Sequence, residues 1–283
     1  MELTTAEIRR AVRAALAEDL GRGDVTTLAT VPVSAKSVAL MRAREPLVIA
    51  GIQFAEMAFR ELASKIKMIR CVRDGQPATA GETLLKISGP SRAILSAERV
   101  ALNFVQRLSG VATATAQFVT AVHGTNAKIL DTRKTTPGWR RFEKYAVACG
   151  GGKNHRLGLF DLVLIKDNHL VALQNEKPNA IAAAVACARK KFPKLKVEVE
   201  ADTLEQVAQA ADAGADIILL DNMTLAQLRQ AVKIVRGRAK TEASGGVNLK
   251  TVRKIALTGV DFISVGAITH SARAVDIGLD FEG

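Results

Sequence analysis

The residues of this 283-residue chain that could do chemistry stand where apolar runs stop. Between Asp131 and His169 the basic residues arrive in short clusters, Arg133-Lys134, Lys153-Asn154-His155-Arg156 and Lys166. The first and last of these follow Ile129-Leu130 and Leu162 to Ile165, the pattern of strands that deliver cations to one end of a sheet. Arg133 and Arg156 carry guanidinium forks suited to carboxylate or phosphate, and Lys134 and Lys166 add point charges. Surface salt-bridging is the ordinary use of such side chains. Gathered at one rim, however, they repel unless an anion sits among them. His155, beside Arg156, is a candidate hydrogen-bond donor to that anion. His123 and His169 read as structural, and pattern assigns no role to His270.

Further strand candidates end in Glu200, in Asp221-Asn222, in Ser244-Gly245-Gly246 and in Gly266-Ala267. Glu200 and Asp221 suit ribose hydroxyls or the water shell of Mg²⁺, and equally suit simple balancing of the cations. A Gly-Gly pair before a helix is by itself an ordinary left-handed turn. With Gly266 at the next strand end it becomes a phosphate cradle built from backbone N–H groups, placed where barrels hold phosphate. Gly150-Gly151-Gly152 reads as a connector without a ligand.

The elements that must position these residues change rhythm along the chain. Thr4 and Glu7 form a capping box for a helix over 4–20. Strands are expected at 37–42, 66–72 and 83–87, with helices at 51–63 and from Ser91 through Leu108, an α+β arrangement. From Lys128 the pattern becomes regular, with strands at 128–130, 162–165, 196–199, 216–220, 240–243 and 261–265. Helices separate them at 137–148, 178–192, 203–213, 224–236 and 248–257, with Thr203, Thr224 and Asn248 as N-caps and Gly214 and Gly259 past helix ends. Alternation of this kind implies a parallel sheet closed into a barrel, whose site lies at the C-terminal strand ends. Trp139 reads as a packing residue on an amphipathic helix.

Composition narrows the partner. A net charge of +12 asks for an anionic one, and no block of like charge marks a nucleic-acid tail. Aromatic residues are only 4% of the chain, too few for base-stacking platforms. A small anionic substrate is favoured over nucleic acid, and no apolar run spans a membrane. A barrel lyase would want a Schiff-base lysine, for which Lys166 is the only obvious candidate. Cys71, Cys149 and Cys187 have no metal or disulfide spacing, and with no secretory signal at the N-terminus a cytoplasmic location is expected.

Taken in order, Asp131-Thr132-Arg133-Lys134-Thr135, Pro137-Gly138, Gly150 to Gly152, His155-Arg156-Leu157-Gly158-Leu159 and Ile165-Lys166-Asp167-Asn168-His169 resemble the quinolinate phosphoribosyltransferase family (nicotinate-nucleotide pyrophosphorylase, carboxylating). Val197 to Glu200, Leu220 to Asn222, Glu242 to Gly246 and Ser264 to Ala267 extend the resemblance. So do Glu18-Asp19 to Thr26, Glu98-Arg99 with Asn103, and Arg107 to Thr113, so that it covers nearly the whole chain. The segment 174–179 departs from the pattern. A paralogous family tied to molybdenum transport shares the Thr132-Arg133-Lys134 and His155-Arg156 motifs and is the nearest rival.

The resemblance implies an N-terminal α/β sandwich over 1–110, an incomplete α/β barrel of fewer than eight strands over 111–269, and a tail, 270–283, returning to the first domain. It implies a homodimer or an assembly of dimers, in which Arg99 reaches the neighbouring subunit's site. The implied reaction is phosphoribosyl transfer from phosphoribosyl pyrophosphate to quinolinate with loss of CO₂, in NAD biosynthesis, with Mg²⁺. Arg99, Thr132, Arg133, His155, Arg156 and Lys166 would then hold the dicarboxylate. Lys134, Glu200, Asp221, Ser244, Gly245, Gly246, Val265, Gly266 and Ala267 would hold the phosphoribosyl donor. Lys134, Glu200 and Asp221 would be catalytic, and Glu200 and Asp221 would meet the metal through water.

Overall fold

The computed structural model describes residues 1–282. In chain order these form α1 (Thr5–Leu20), α2 (Val25–Thr30), β1 (Lys36–Ala43), β2 (Leu47–Val48), α3 (Ile52–Leu62), β3 (Lys67–Arg70), β4 (Pro77–Ala78), β5 (Thr83–Pro90) and α4 (Ser91–Ala121). Next come β6 (Lys128–Leu130), α5 (Arg140–Cys149), β7 (Val163–Ile165), α6 (Asp167–Val171), α7 (Ala180–Lys191), β8 (Val197–Ala201), α8 (Leu204–Asp212) and β9 (Ile217–Asp221). The chain ends with α9 (Leu225–Val235), β10 (Lys240–Ser244), α10 (Val252–Ala256), β11 (Phe262–Ser264), α11 (Ala267–His270) and β12 (Ile277–Glu282). They fall into two compact units, one of residues 1–116, 136–151 and 271 onward, the other of 117–135 and 152–270.

The first unit holds an antiparallel sheet in the order β12-β1-β5-β3 and a small β2-β4 ribbon. The expected capping box starts α1: Glu7 N donates to Thr4 Oγ1 at 3.2 Å and Thr4 N to Glu7 Oε2 at 2.9 Å. The C-terminal residues are a true strand, paired with β1 from Val38↔Glu282 to Ala43↔Ile277. The compact units do not follow one boundary in the chain. Position 110, the expected domain junction, lies inside α4, and Gly110 marks a close approach there, since a Cβ would sit 2.0 Å from the Arg273 carbonyl oxygen. Residues 136–151, expected with the barrel, belong to the first unit because aromatic packing holds them. Trp139 stacks on Phe104 at 5.0 Å, and Phe142 meets Phe54 edge-on at 5.1 Å.

The second unit is a parallel sheet in the order β6-β11-β10-β9-β8-β7, with helices in the connections. Thr203 and Thr224 cap α8 and α9 through boxes with Gln206 and Gln227. Asn248 does not cap: its side chain accepts Lys250 N at 3.0 Å, and α10 begins after Thr251. Beyond β6 the edge continues through Lys153, whose N–H donates to Ile129 O at 2.8 Å. In a flat sheet the two edges of six strands would lie about 24 Å apart. Residues following β6 and β7 nevertheless line one cavity, so the sheet curls. Six strands so curled are the incomplete barrel that the resemblance implies.

Candidate active site

The cavity, about 830 Å³, opens at the C-terminal ends of the parallel strands. Its lining follows the two-residue period of a strand. Leu164 and Lys166, Leu219 and Asp221, Glu242 and Ser244, and Ser264 and Gly266 face it in pairs from neighbouring strands, and Glu200 joins them from β8. The intervening Val197, Val199, Ala201, Ile218, Leu220, Ala243 and Ile263 are buried on the other face.

Thr132, Arg133, Lys134, Arg156 and Lys166 form the cationic wall. Buried Asp131 aligns the segment beside β6, accepting His155 N at 2.8 Å and Asn154 Nδ2 at 2.7 Å. The loop after β6 is tied at Lys134, whose N–H donates to Thr132 Oγ1 at 3.0 Å and whose carbonyl accepts Thr269 Oγ1 at 2.7 Å. Burial first, then the nearby charge of Arg133, pull the Arg156 pKa down, while Glu198 and Asp161 oppose them. Two guanidiniums at close quarters make a wall that favours an anion. Lys166 pairs with Glu200 at the ends of the neighbouring strands β7 and β8.

Beneath this wall lies a buried cluster. His155 Nε2 is 3.0 Å from Glu198 Oε2 and 3.6 Å from Glu242 Oε1, and its Nδ1 accepts Arg156 N at 2.7 Å. The imidazole expected to donate to substrate therefore has both nitrogens engaged inside the protein. Ser264 Oγ hydrogen-bonds Glu242. Burial, then the charge of Glu198, push the Glu242 carboxyl up to about 7, against the opposing effects of His155 and Ser264.

The opposite wall is short-chained. Asp221 ends β9, and Ser244, Gly245 and Gly246 follow β10 with φ of +100° at Gly245 and +58° at Gly246. A side chain at Gly266 would meet His270 at 3.1 Å and the Lys134 aliphatic chain at 3.2 Å, so glycine lets both side chains reach the cavity. Ala267 also lines it.

Thirteen residues expected at the site are thus brought together: Thr132, Arg133, Lys134, His155, Arg156, Lys166, Glu200, Asp221, Ser244, Gly245, Gly246, Gly266 and Ala267. Val265 is not among the lining residues; its side chain is buried and its N–H donates to Leu130 O at 2.9 Å, because it belongs to the opposite face. Arg99 lies exposed on α4 in the first unit. Sequence reasoning overlooked Leu164, Leu219, Asn222, Glu242, Val247, Ser264 and His270 as lining residues. A usable signal existed for most of them: residues two positions before a site residue on the same strand share its face.

Fold and site together define an α/β unit whose cavity, at the C-terminal strand ends, sets a cationic wall against a wall of acids and glycines. Models for the quinolinate phosphoribosyl transferase N-terminal domain match residues 24–109, and those for the C-terminal domain match 111–280. The chain is 45% identical over 278 residues, 96% of each chain, to the nicotinate-nucleotide pyrophosphorylase [carboxylating] of Mycobacterium leprae (strain TN). It is 42% identical to a mitochondrial quinolinate phosphoribosyltransferase [decarboxylating] of Nicotiana tabacum, over 98% of this chain and 83% of the relative. The solved nicotinate-nucleotide pyrophosphorylase of Francisella tularensis superposes with a TM-score of 0.93 at 40% identity, covering 99% of this chain and 98% of the other. The chain belongs to the quinolinate phosphoribosyltransferase family.

Proposed function

We infer that the protein transfers the phosphoribosyl group of phosphoribosyl pyrophosphate to quinolinate and releases CO₂, giving nicotinate mononucleotide and pyrophosphate for NAD synthesis. The observation that carries this reading is one cavity with two unlike walls, cations on one side and acids with a glycine cradle on the other. Arg133, Arg156 and Lys166 suit the two carboxylates of quinolinate, with Thr132 beside them and His155 held by its buried acids. Lys134, Ser244, Gly245, Gly246, Gly266 and Ala267 suit the phosphates, with Val265 setting the strand from which Gly266 turns. Leu164 and Leu219 give the ring an apolar floor.

Glu200 and Asp221 stand at the ends of adjacent strands and offer only oxygen donors, which fits a hard cation such as Mg²⁺ held through water. When bound, Mg²⁺ would neutralise pyrophosphate charge. As pyrophosphate leaves, positive charge grows on the ribose ring and the carboxylates of Glu200 and Asp221 stabilise it by preorganised electrostatics. The pyridine nitrogen then attacks the ribosyl carbon. The positive nitrogen of the quaternised ring stabilises the electron pair that the breaking bond leaves on the adjacent ring carbon, CO₂ departs, and that carbon takes a proton from solvent to give nicotinate mononucleotide. The reading includes a homodimer or assembly of dimers in which Arg99 reaches a neighbouring site, and a cytoplasmic location.

The test is turnover of phosphoribosyl pyrophosphate that requires both quinolinate and Mg²⁺ and releases one CO₂ per nucleotide. Nicotinate, with a single carboxylate, should be a far poorer acceptor. Nucleotide formation without equimolar CO₂, or equal use of nicotinate, defeats the assignment.

A further inference from the structure

Asn222 follows Asp221, and its backbone is left-handed, with φ of +52°. L-residues avoid this region, and Asn tolerates it better than most. The last matched pair of β9 and β10 is Asp221↔Ser244, so Asn222 leaves the sheet beside the first glycine of the cradle. Its N–H donates to Ser244 O at 2.9 Å. Its Nδ2 donates to Asp221 Oδ2 at 2.6 Å. A carboxylate only accepts, so the amide nitrogen must face Asp221 and the amide oxygen must face the other way. That oxygen lies against Gly245, where a Cβ would stand 2.1 Å from it. One residue therefore touches the acid on one side and the glycine cradle on the other.

We propose that Asn222 is a positioning residue that locks the carboxylate of Asp221 to the Ser244–Gly246 loop, so that the ribose-facing acid and the phosphate cradle keep a fixed spacing. This rests on the roles given above to Asp221 and the glycine loop. Three demands meet at position 222: a left-handed backbone, a donor for the carboxylate, and a flat side chain that fits over a glycine. Glycine meets only the first. Aspartate meets the first and third but cannot donate to Asp221 when ionised.

The test compares Asn222→Gly and Asn222→Asp with the full-length wild-type protein. Measured quantities are KM for phosphoribosyl pyrophosphate, the dissociation constant of quinolinate, and, for Asn222→Gly, Mn²⁺ binding followed by electron paramagnetic resonance. Asn222→Gly is expected to raise KM for phosphoribosyl pyrophosphate and weaken Mn²⁺ binding about tenfold, the value of one lost hydrogen bond to a charged group. Quinolinate binding and the thermal midpoint should stay at wild-type values. Asn222→Asp should give the same rise in KM, and it decides the matter if the glycine variant does not fold. Wild-type KM in either folded variant, or an equal loss for quinolinate, overturns the coupling. A wild-type protein that neither turns over phosphoribosyl pyrophosphate nor binds Mn²⁺ overturns the proposed function, and the coupling with it.

Discussion

The two walls of the cavity are built on different principles. The cationic wall is made of long side chains, Arg133, Lys134, Arg156 and Lys166, whose charges reach the cavity from loops anchored by Asp131 and Thr269. The opposite wall is made by backbone shape, at Asn222, Gly245 and Gly246, with short side chains at Asp221 and Ser244. The first wall recognises by charge and tolerates small displacements, because Coulomb attraction falls slowly with distance. In the proposed function the second recognises by hydrogen-bond geometry and tolerates few substitutions, because both glycines hold a positive φ and a Cβ at Gly245 would collide with Asn222.

The contrast can be broken most strongly at Arg133. Arg133→Ala removes a charge-assisted, two-pronged contact to a carboxylate and should cost roughly 2–4 kcal/mol in kcat/KM. The loss should fall on quinolinate, leaving KM for phosphoribosyl pyrophosphate nearly unchanged; near-wild-type kcat/KM would remove Arg133 from the clamp.

A second effect is read in stability rather than rate, from the buried floor beneath both walls. The Glu242 carboxyl sits at about 7 in the folded protein against 4.5 as its ordinary value. Between these values the folded state keeps a proton that the unfolded chain has released, so stability falls as pH rises through that window. The slope is at most about 1.4 kcal/mol per pH unit. The groups facing it are Glu198, His155, Asp131 and Ser264. Glu242→Gln should flatten this part of the profile and leave the variant relatively more stable at pH 8 than at pH 5. Denaturant midpoints across pH check it, and an unchanged slope would place the proton elsewhere.

The smallest effect concerns the Lys166–Glu200 pair that joins the walls. With Lys166 44% exposed, the pair contributes little, at most about 1 kcal/mol. Lys166→Met should weaken quinolinate binding, yet tighten Mn²⁺ binding to the substrate-free protein by no more than about fivefold, because Glu200 loses its counterion. Weaker Mn²⁺ binding in calorimetry would mean that Glu200 does not face the cation.

Most of the site was legible from the chain because strand ends announce themselves. An apolar run that stops at Lys166 or Asp221, or an alternating one that stops at Glu200, marks both the strand and the end that carries chemistry. The buried floor was less legible. Glu198 alternates with Val197 and Val199 as a half-exposed strand residue would, and only the curl of the sheet turns its face inward. Asn248 failed as a cap for a local reason: its side chain closes a turn onto Lys250 before α10 can start.

The sequence by itself determined nine of the twelve strands among the described residues, the caps at Thr203 and Thr224, the family and thirteen of the twenty residues that line the cavity. Each depends on short-range chemistry or on motifs contiguous in the chain. Tertiary structure alone decided that 136–151 packs with the first unit, that His155 is tied to Glu198 and Glu242, and that Asn222 lies over Gly245. Those facts join positions at least 23 residues apart in the chain. No local propensity records which distant face a side chain will meet. For the wall of cations, charge in the sequence was enough to see it; for the wall of glycines, only the backbone's path shows that the missing Cβ of Gly245 makes room for Asn222.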